Sequence, residues 1–287
     1  MPPGPNDPEA TFERIVTRRQ RRQSLPSRPP AQTTASTYRN RETHRGPQPP
    51  PSWVITSDQA LDTDLGVLKT GKEADVSIVE RRLHGEVNVL AVKRYRPPEH
   101  RDFRNDSVYR AGRRLRDRRA QKAVDQGSSK GEPFKADEWA AWEFDALAAM
   151  WAAHAAVPYP VQRRGTEVML EFLGDDDGPA PRLVDADIDA STATELFEQA
   201  RELLALLAEL GIAHADLSAY NLLVWHDRLY AIDFPQASDL ITNPMGLSLL
   251  HRDVSNVCGF FARRGVVAAR DPEALFGTLV GVISRRP

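Results

Sequence analysis

The 287-residue sequence predicts an α+β fold in which short strands come first and helices follow. Three observations predict it. Two apolar, β-branched runs, Val76 to Val79 and Val87 to Lys93, read as strands parted by a polar stretch containing Gly85. Three later stretches, residues 137–154, 194–210 and 246–261, place apolar residues at helical spacing. Proline concentrates at the start instead, with 11 of the 22 in residues 1–51.

That first segment is filled out by Gln, Ser, Thr and Arg. It buries too little apolar surface to offset chain entropy, so residues 1–52 are expected to be a disordered tail. Its Arg18 to Gln23 run suits an acidic surface. The folded domain is placed at 53–287. Hydrophobic residues at 41% and charged residues at 27% are ordinary for a globular protein. A lone cysteine, Cys258, excludes an internal disulfide and a thiolate zinc site, and reads as a small buried side chain. No run of 18 apolar residues and no signal-peptide pattern occurs, so the expected location is cytoplasmic, away from membrane. Arginine outnumbers lysine 32 to 6, which draws attention to each lysine.

After the two strands, residues 101–135 hold 11 Lys or Arg against 5 Asp or Glu, and read as a basic insertion with one helix. Trp139, Trp142, Leu147 and Trp151 mark the apolar side of the next helix. Glu167 to Phe172 reads as a strand, and the acidic, Pro- and Gly-rich residues 174–190 as a connector. Ser191 or Thr192 is expected to cap the helix Thr194 to Leu210, which Gly211 ends. Leu203, Leu206, Leu207 and Leu210 are its core positions. Leu222 to Trp225 and Leu229 to Asp233 form a hairpin around His226-Asp227. Helices from about Gly246 to Phe261 and from Pro272 close the chain.

The chemistry is carried by His214-Ala-Asp216-Leu-Ser-Ala-Tyr-Asn221 and by Ile232-Asp233-Phe234. An H-x-D, an Asn five residues on, and an Asp after a hairpin make up the catalytic core of kinase-like enzymes. The loop presents one carboxylate, Asp216, to an attacking hydroxyl. A turn later Asn221 faces a metal, and the hairpin brings the Asp233 carboxylate to the same ion. Magnesium prefers such hard oxygen ligands. Lys93 ends an apolar strand in the pattern of the lysine that contacts the α- and β-phosphates. Glu143 is the best placed ion-pair partner on the following helix, with Glu138 and Asp145 as rivals. His251-Arg252-Asp253 imitates a catalytic loop, but Asn256 is spaced wrongly and no metal-binding Asp follows. Asp253 therefore reads as structural, paired with the true loop.

With these residues in view, the chain resembles the RIO family of atypical serine/threonine protein kinases over roughly residues 66–280. Thr70-Gly71-Lys72-Glu73-Ala74-Asp75-Val76 looks like the family's phosphate loop. The basic insertion, the His214 to Asn221 loop with Ile232 to Gln236, and only 54 residues after Asp233 add to the likeness. The resemblance implies a two-lobed protein-kinase-like fold. A small β-sheet lobe with one helix, about 53–173, would precede a reduced, mainly helical lobe, about 174–287. ATP would lie between them, its adenine against the connector near Glu171 and Leu173 and its phosphates under Thr70, Gly71 and Lys72. The ion would be Mg2+, with Mn2+ as the alternative. In this family the metal-binding Asp, here Asp233, can take the γ-phosphate as an aspartyl-phosphate, so an ATPase switch stands beside a protein kinase. Implied partners are a protein substrate or the chain itself, and ribosomal RNA of the small subunit. Lys69 departs from the pattern, standing where Ser is expected.

Two other readings use the same residues. A small-molecule kinase of the aminoglycoside or choline type shares the two motifs, but usually builds a larger acidic pocket after the metal-binding Asp. A non-catalytic assembly factor would bind ATP as a ligand only, and has no need of Lys93, Asp216, Asn221 and Asp233 together.

Overall fold

A computed structural model describes residues 32–96, 131–175 and 177–285. A seven-stranded antiparallel sheet forms the first lobe, in the order β1-β3-β4-β5-β7-β6-β2. Its strands are β1 (Thr33–Ala35), β2 (His44–Arg45), β3 (Leu61–Thr70), β4 (Ala74–Leu83), β5 (Glu86–Tyr95), β6 (Pro160–Arg164) and β7 (Glu167–Glu171). The central pair is longer than the apolar runs alone predict. It turns at His84-Gly85, both with positive φ, and pairs without interruption from Ala74↔Tyr95 to Leu83↔Glu86.

Each face of this sheet has its own task. Ala74, Tyr95 and Val168 pack against the helix α1 (Gly131–Ala152), through Ala136, Trp139, Ala140 and Phe144. The opposite face curls around Val79, Leu90, Val92, Tyr159, Val161 and Met169. At the centre of that curl lies Arg81, wholly buried. Its guanidinium meets both Asp62 carboxylate oxygens at 2.7 and 2.9 Å, and Gln162 Oε1 at 3.0 Å. A buried charge survives only when paired and hydrogen-bonded, and here β3 and β6 supply the partners from either side.

The expected boundary at residue 52 moves toward the N-terminus. Residues 33–51 form a strap whose two short strands take both edges of the sheet. Tyr38 is buried against the curled face. Gln162 Nε2 donates to Thr37 Oγ1 at 2.9 Å, and Tyr159 Oη to the Pro47 carbonyl at 2.8 Å. Proline has no N–H to satisfy, so Pro47, Pro49, Pro50 and Pro51 can lie against protein with few partners. Gly46 is required here, since a Cβ would meet the Pro160 carbonyl at 1.9 Å. Residues 1–31 and most of the basic insertion, 97–130, lie outside the described residues.

The connector leads through the small ladder β8 (Gly174–Asp175) and β9 (Gly178–Pro179) into the second lobe. There α2 (Ala190–Leu210) buries Leu196, Phe197, Ala200, Leu203, Leu204 and Leu207 on one stripe. Its cap is Asp189 rather than Ser191 or Thr192, because the Asp189 carboxylate accepts from Thr192 N at 2.8 Å. Gly211, with φ 73°, ends it in the left-handed cap. Next come β10 (Ile212–Ala213), the hairpin β11 (Leu222–Trp225) and β12 (Arg228–Ala231), and β13 (Ser238–Asp239). The helices α3 (Gly246–Ala262) and α4 (Pro272–Ile283) complete the lobe, with Cys258 buried in its core. Sheet lobe plus helical lobe is the expected two-lobed α+β architecture.

Candidate active site

Between the lobes lies a cleft of about 570 Å3. Strand alternation builds its roof. Val76 and Lys93 sit opposite each other on β4 and β5, and Ala91 sits opposite Leu170 on β7, so all four face the cleft. Leu223 and Ile232 line it from the second lobe, and Glu171, Phe172 and Leu173 from the connector. Apolar walls with a few charged groups at one end suit a flat aromatic carrying an anion.

The charged end is organised by Lys93. Its ammonium donates to Glu143 Oε1 at 2.7 Å and to Asp233 Oδ1 at 2.5 Å. Burial works against the charge, but the Asp233 and Glu143 carboxylates raise the Lys93 pKa well above its ordinary value. Glu143 on α1 is held on every side: Tyr95 Oη donates to Oε2 at 2.5 Å and Phe234 N to Oε1 at 3.1 Å. Lys93 thus takes Glu143 as its helix partner rather than the rivals Glu138 and Asp145. Asp233 follows β12 with φ 72°, a backbone region costly for a residue with a side chain. Burial would raise its pKa, but the Lys93 ammonium outweighs that and holds it below the usual carboxylate range.

Asp216 stands beside Asp233 on the loop after β10. Asn221 Nδ2 donates to the Asp216 carbonyl at 2.9 Å and to its Oδ2 at 3.0 Å. Ile232 N in turn donates to the Asn221 carbonyl at 3.0 Å, tying the loop to the Asp233 segment. Burial raises the Asp216 pKa against the opposing Asn221 bond. His214 is a buried support. Its ring lies 4.4 Å from that of Phe234 with Nε2 3.1 Å from the Ile232 carbonyl, and burial lowers its pKa to about 4.

The false catalytic triplet is the frame of this loop. Asp253 on α3 accepts from Ala215 N at 2.8 Å and from Leu217 N at 2.9 Å. Arg252 donates to the Ala215 carbonyl, and Asn256 to the Leu217 carbonyl at 3.1 Å. Both peptides flanking Asp216 are therefore held from one helix.

The expected nucleotide contacts divide. Lys93, Glu143, Glu171, Leu173 and Asp233 line the cleft. Thr70, Gly71 and Lys72 sit at the β3–β4 tip beyond its wall, where Gly71 N donates to the Ala74 carbonyl at 2.9 Å. Lys69, the departure from the phosphate-loop pattern, and Leu68 line the cleft instead. Glu171 N already donates to the Tyr159 carbonyl at 2.9 Å, so it is not available to adenine. Leu173 N has no partner among the described residues. Glu73 was not anticipated: burial, then the Asp233 charge, raises its carboxyl, which places it in the charged group. Its position beside the Gly71-Lys72 turn was the one available signal.

Magnesium fits the donors present. Among the described residues, Asn221 uses its nitrogen on Asp216 with no partner on Oδ1, and Lys93 engages one Asp233 oxygen with no partner on the other. Among the described residues no three His, Cys, Asp or Glu side chains gather as a metal cage. Two protein oxygens with water and phosphate completing the octahedron is how magnesium is commonly held.

Comparison with known proteins fits this geometry. The family model described as the RIO domain matches residues 79–275. The chain belongs to the RIO family. The RIO-type serine/threonine-protein kinase Rio1 of Haloferax volcanii is 32% identical over 229 residues, covering 80% of this chain and 73% of that protein. Rio1 of Thermoplasma acidophilum is 34% identical over 137 residues, 48% of this chain and 69% of that one. Human serine/threonine-protein kinase RIO3 is 30% identical over 241 residues, but this chain spans only 44% of its length. The solved Rio2 kinase of Chaetomium thermophilum, in an ADP/Mg2+-phosphoaspartate complex, shares the fold at a TM-score of 0.57 and 19% identity, over 78% of this chain and 62% of that one. The Rio1 and RIO3 relatives are named as serine/threonine-protein kinases.

Proposed function

We propose that this chain is an ATP- and magnesium-dependent phosphotransferase of the RIO serine/threonine-kinase type, with Asp233 as the first acceptor. The observation that carries it is Lys93, held between Glu143 and Asp233 at one end of an apolar cleft, with Asp216 and Asn221 beside Asp233. Magnesium would supply charge neutralisation at the β- and γ-phosphates, held by Asn221 Oδ1 and the other Asp233 oxygen. Lys93 would neutralise the α- and β-phosphates, with Glu143 fixing its ammonium. Leu173 N offers the connector donor for adenine, and Leu68, Val76, Ala91, Leu170 and Leu223, which line the cleft, would sandwich the ring.

In the first step an Asp233 carboxylate oxygen forms the bond to the γ-phosphorus as the bond to the β-bridging oxygen of ADP breaks. No proton moves. For transfer to a hydroxyl of a protein or of the chain itself, the hydroxyl oxygen attacks the phosphorus of the Asp233 acyl phosphate. The P–O bond to Asp233 breaks to release its carboxylate, and the hydroxyl proton passes to Asp216, whose raised pKa suits a base. Water in place of the hydroxyl gives ATPase turnover. The same oxygen donors accept manganese. A ribosomal RNA partner and a cytoplasmic location belong to this proposal, resting on the Arg18 to Gln23 run and the basic residues 101–135. Among the described residues no helix is long and apolar enough to cross a membrane.

The test is incubation with γ-labelled ATP and magnesium, using wild type, Asp216→Ala and Asp233→Asn. Hydroxylamine-labile label on the wild type, absent from Asp233→Asn, is expected. Hydroxylamine-stable label would assign direct hydroxyl transfer instead. Neither label nor free phosphate would leave the chain an ATP-binding assembly factor.

A further inference from the structure

The β3–β4 tip is fastened from behind by a residue that the nucleotide contacts do not include. Arg96 follows β5 directly, three residues after Lys93. Its guanidinium donates to the Gly71 carbonyl and to Asp75 Oδ1 at 3.2 Å, and its backbone N to the Glu73 carbonyl at 2.9 Å. Three groups of the Thr70 to Asp75 turn thus hang on one residue.

The side from which Arg96 acts follows from strand alternation. Val76 and Lys93 are paired and face the cleft, so their paired neighbours Asp75 and Arg94 face the other side of the sheet. Arg96 meets Asp75 on that side. The Gly71 carbonyl it binds is therefore turned away from the cleft. A trans peptide sets C=O and N–H in opposite directions, so the Lys72 N–H is turned toward it. A backbone N–H held in that direction, beside the Lys69 and Lys72 side chains, is a donor for an anionic oxygen. Gly71 leaves no freedom for a side chain there, since a Cβ would meet the Ala74 carbonyl at 2.9 Å.

We infer that Arg96 is a positioning residue for the nucleotide phosphates: it holds the Gly71-Lys72 peptide at the tip with its N–H turned to the cleft side of the sheet. The inference rests on the nucleotide reading above. Arg96 touches no phosphate itself. It acts through the peptide, and also links the strand of Lys93 to the turn, so both phosphate-binding elements move together. Asp75 orients the guanidinium and is secondary.

Binding of ATP, ADP and adenosine to the full chain, with magnesium, separates this role from a general one. Arg96→Ala should weaken ATP and ADP about tenfold, leave adenosine within twofold, and raise KM for ATP with kcat within about twofold of wild type. Arg96→Lys, which keeps the charge but not the fork, should fall between, and Asp75→Asn should lose about threefold. Equal losses for adenosine and ATP in the folded Arg96→Lys variant would make the contact merely structural and overturn the inference. Unchanged ATP affinity in Arg96→Ala would overturn it as well. Wild type that prefers ATP over adenosine by no margin would fail one step earlier, removing the nucleotide-phosphate reading and this role together.

Discussion

Replacing Lys93 by Met removes the one cation that two carboxylates share. Glu143 is 1% exposed and Lys93 12%, while the Asp233 side chain is 42% exposed. Breaking a buried ion pair costs about 3–5 kcal/mol, because the surviving charge stays desolvated. Most of that falls on Glu143, since water relieves Asp233, which places the expected loss at about 3 kcal/mol. For a domain of this size each kcal/mol moves the melting midpoint by about 2–4 °C, so Lys93→Met should melt about 6–12 °C lower. The assay is thermal unfolding by circular dichroism without nucleotide, with Glu143→Gln and the double variant completing a cycle. Glu143→Gln should restore part of the loss in the Lys93→Met background, since no buried charge is then left alone. Magnesium should raise the midpoint of Lys93→Met more than that of wild type, the ion standing in for the ammonium. A midpoint within about 1 °C of wild type, or losses that simply add, would refute the shared-cation reasoning.

Asp216→Ala should lower turnover about 100-fold or more at unchanged ATP affinity, checked by steady-state release of labelled phosphate. Two buried groups should give the stability a characteristic pH profile. Burial raises Asp253 to about 7, so the folded state takes up its proton first and stability rises as pH falls from 7 toward 4. Burial lowers His214 to about 4, so the unfolded state takes up its proton first and stability falls as pH drops from 6.5 toward 4. The two trends oppose each other, and wild type should be nearly flat there with respect to these groups. In urea titrations at pH 4.5 and 6.5, Asp253→Asn should lose stability at the lower pH and His214→Phe should gain it. Parallel profiles for the two variants would contradict the assignment. Leu207→Ala, near the C-terminal end of the α2 stripe, should cost about 2–5 kcal/mol by the same titration and leave ATP affinity unchanged.

Much of this site was legible because its chemistry is written in short spacings. Asp216, Asn221 and Asp233 lie on one loop and one hairpin, and their meeting depends on local turns. Lys93 and Glu143 were legible differently, one as a lysine after an apolar strand, the other by its place on the next helix. What escaped the sequence depends on pairing over long distances or on polar burial. The strand β6 reads Pro-Val-Gln-Arg-Arg, and its Gln162 and Arg163 are buried only because Arg81 and Asp137 meet them. The strap has no periodic apolar signal: Tyr38 and a series of prolines do the packing. Asp189 hid as a cap because Ser191 and Thr192 are equally good caps two and three residues on. The service of Arg252, Asp253 and Asn256 to the loop crosses nearly forty residues, and only Asp253 was suspected of it.

The strap that takes both rims of the sheet has a consequence for how the chain is made. An open rim of strand is an invitation to another chain, and here residues that leave the ribosome before the sheet exists close both sides of it. One closure is quick to find, since Thr33 meets Thr63 only thirty residues later. The other is not: His44 meets Arg163 across 163 − 44 = 119 residues. Loops that long close late, so β2 waits unpaired until β6 emerges behind the insertion, and β6 keeps a bare rim until the two find each other. Self-association of nascent or truncated chains should therefore begin at β6, and a chain started at residue 53 would carry that exposed rim permanently.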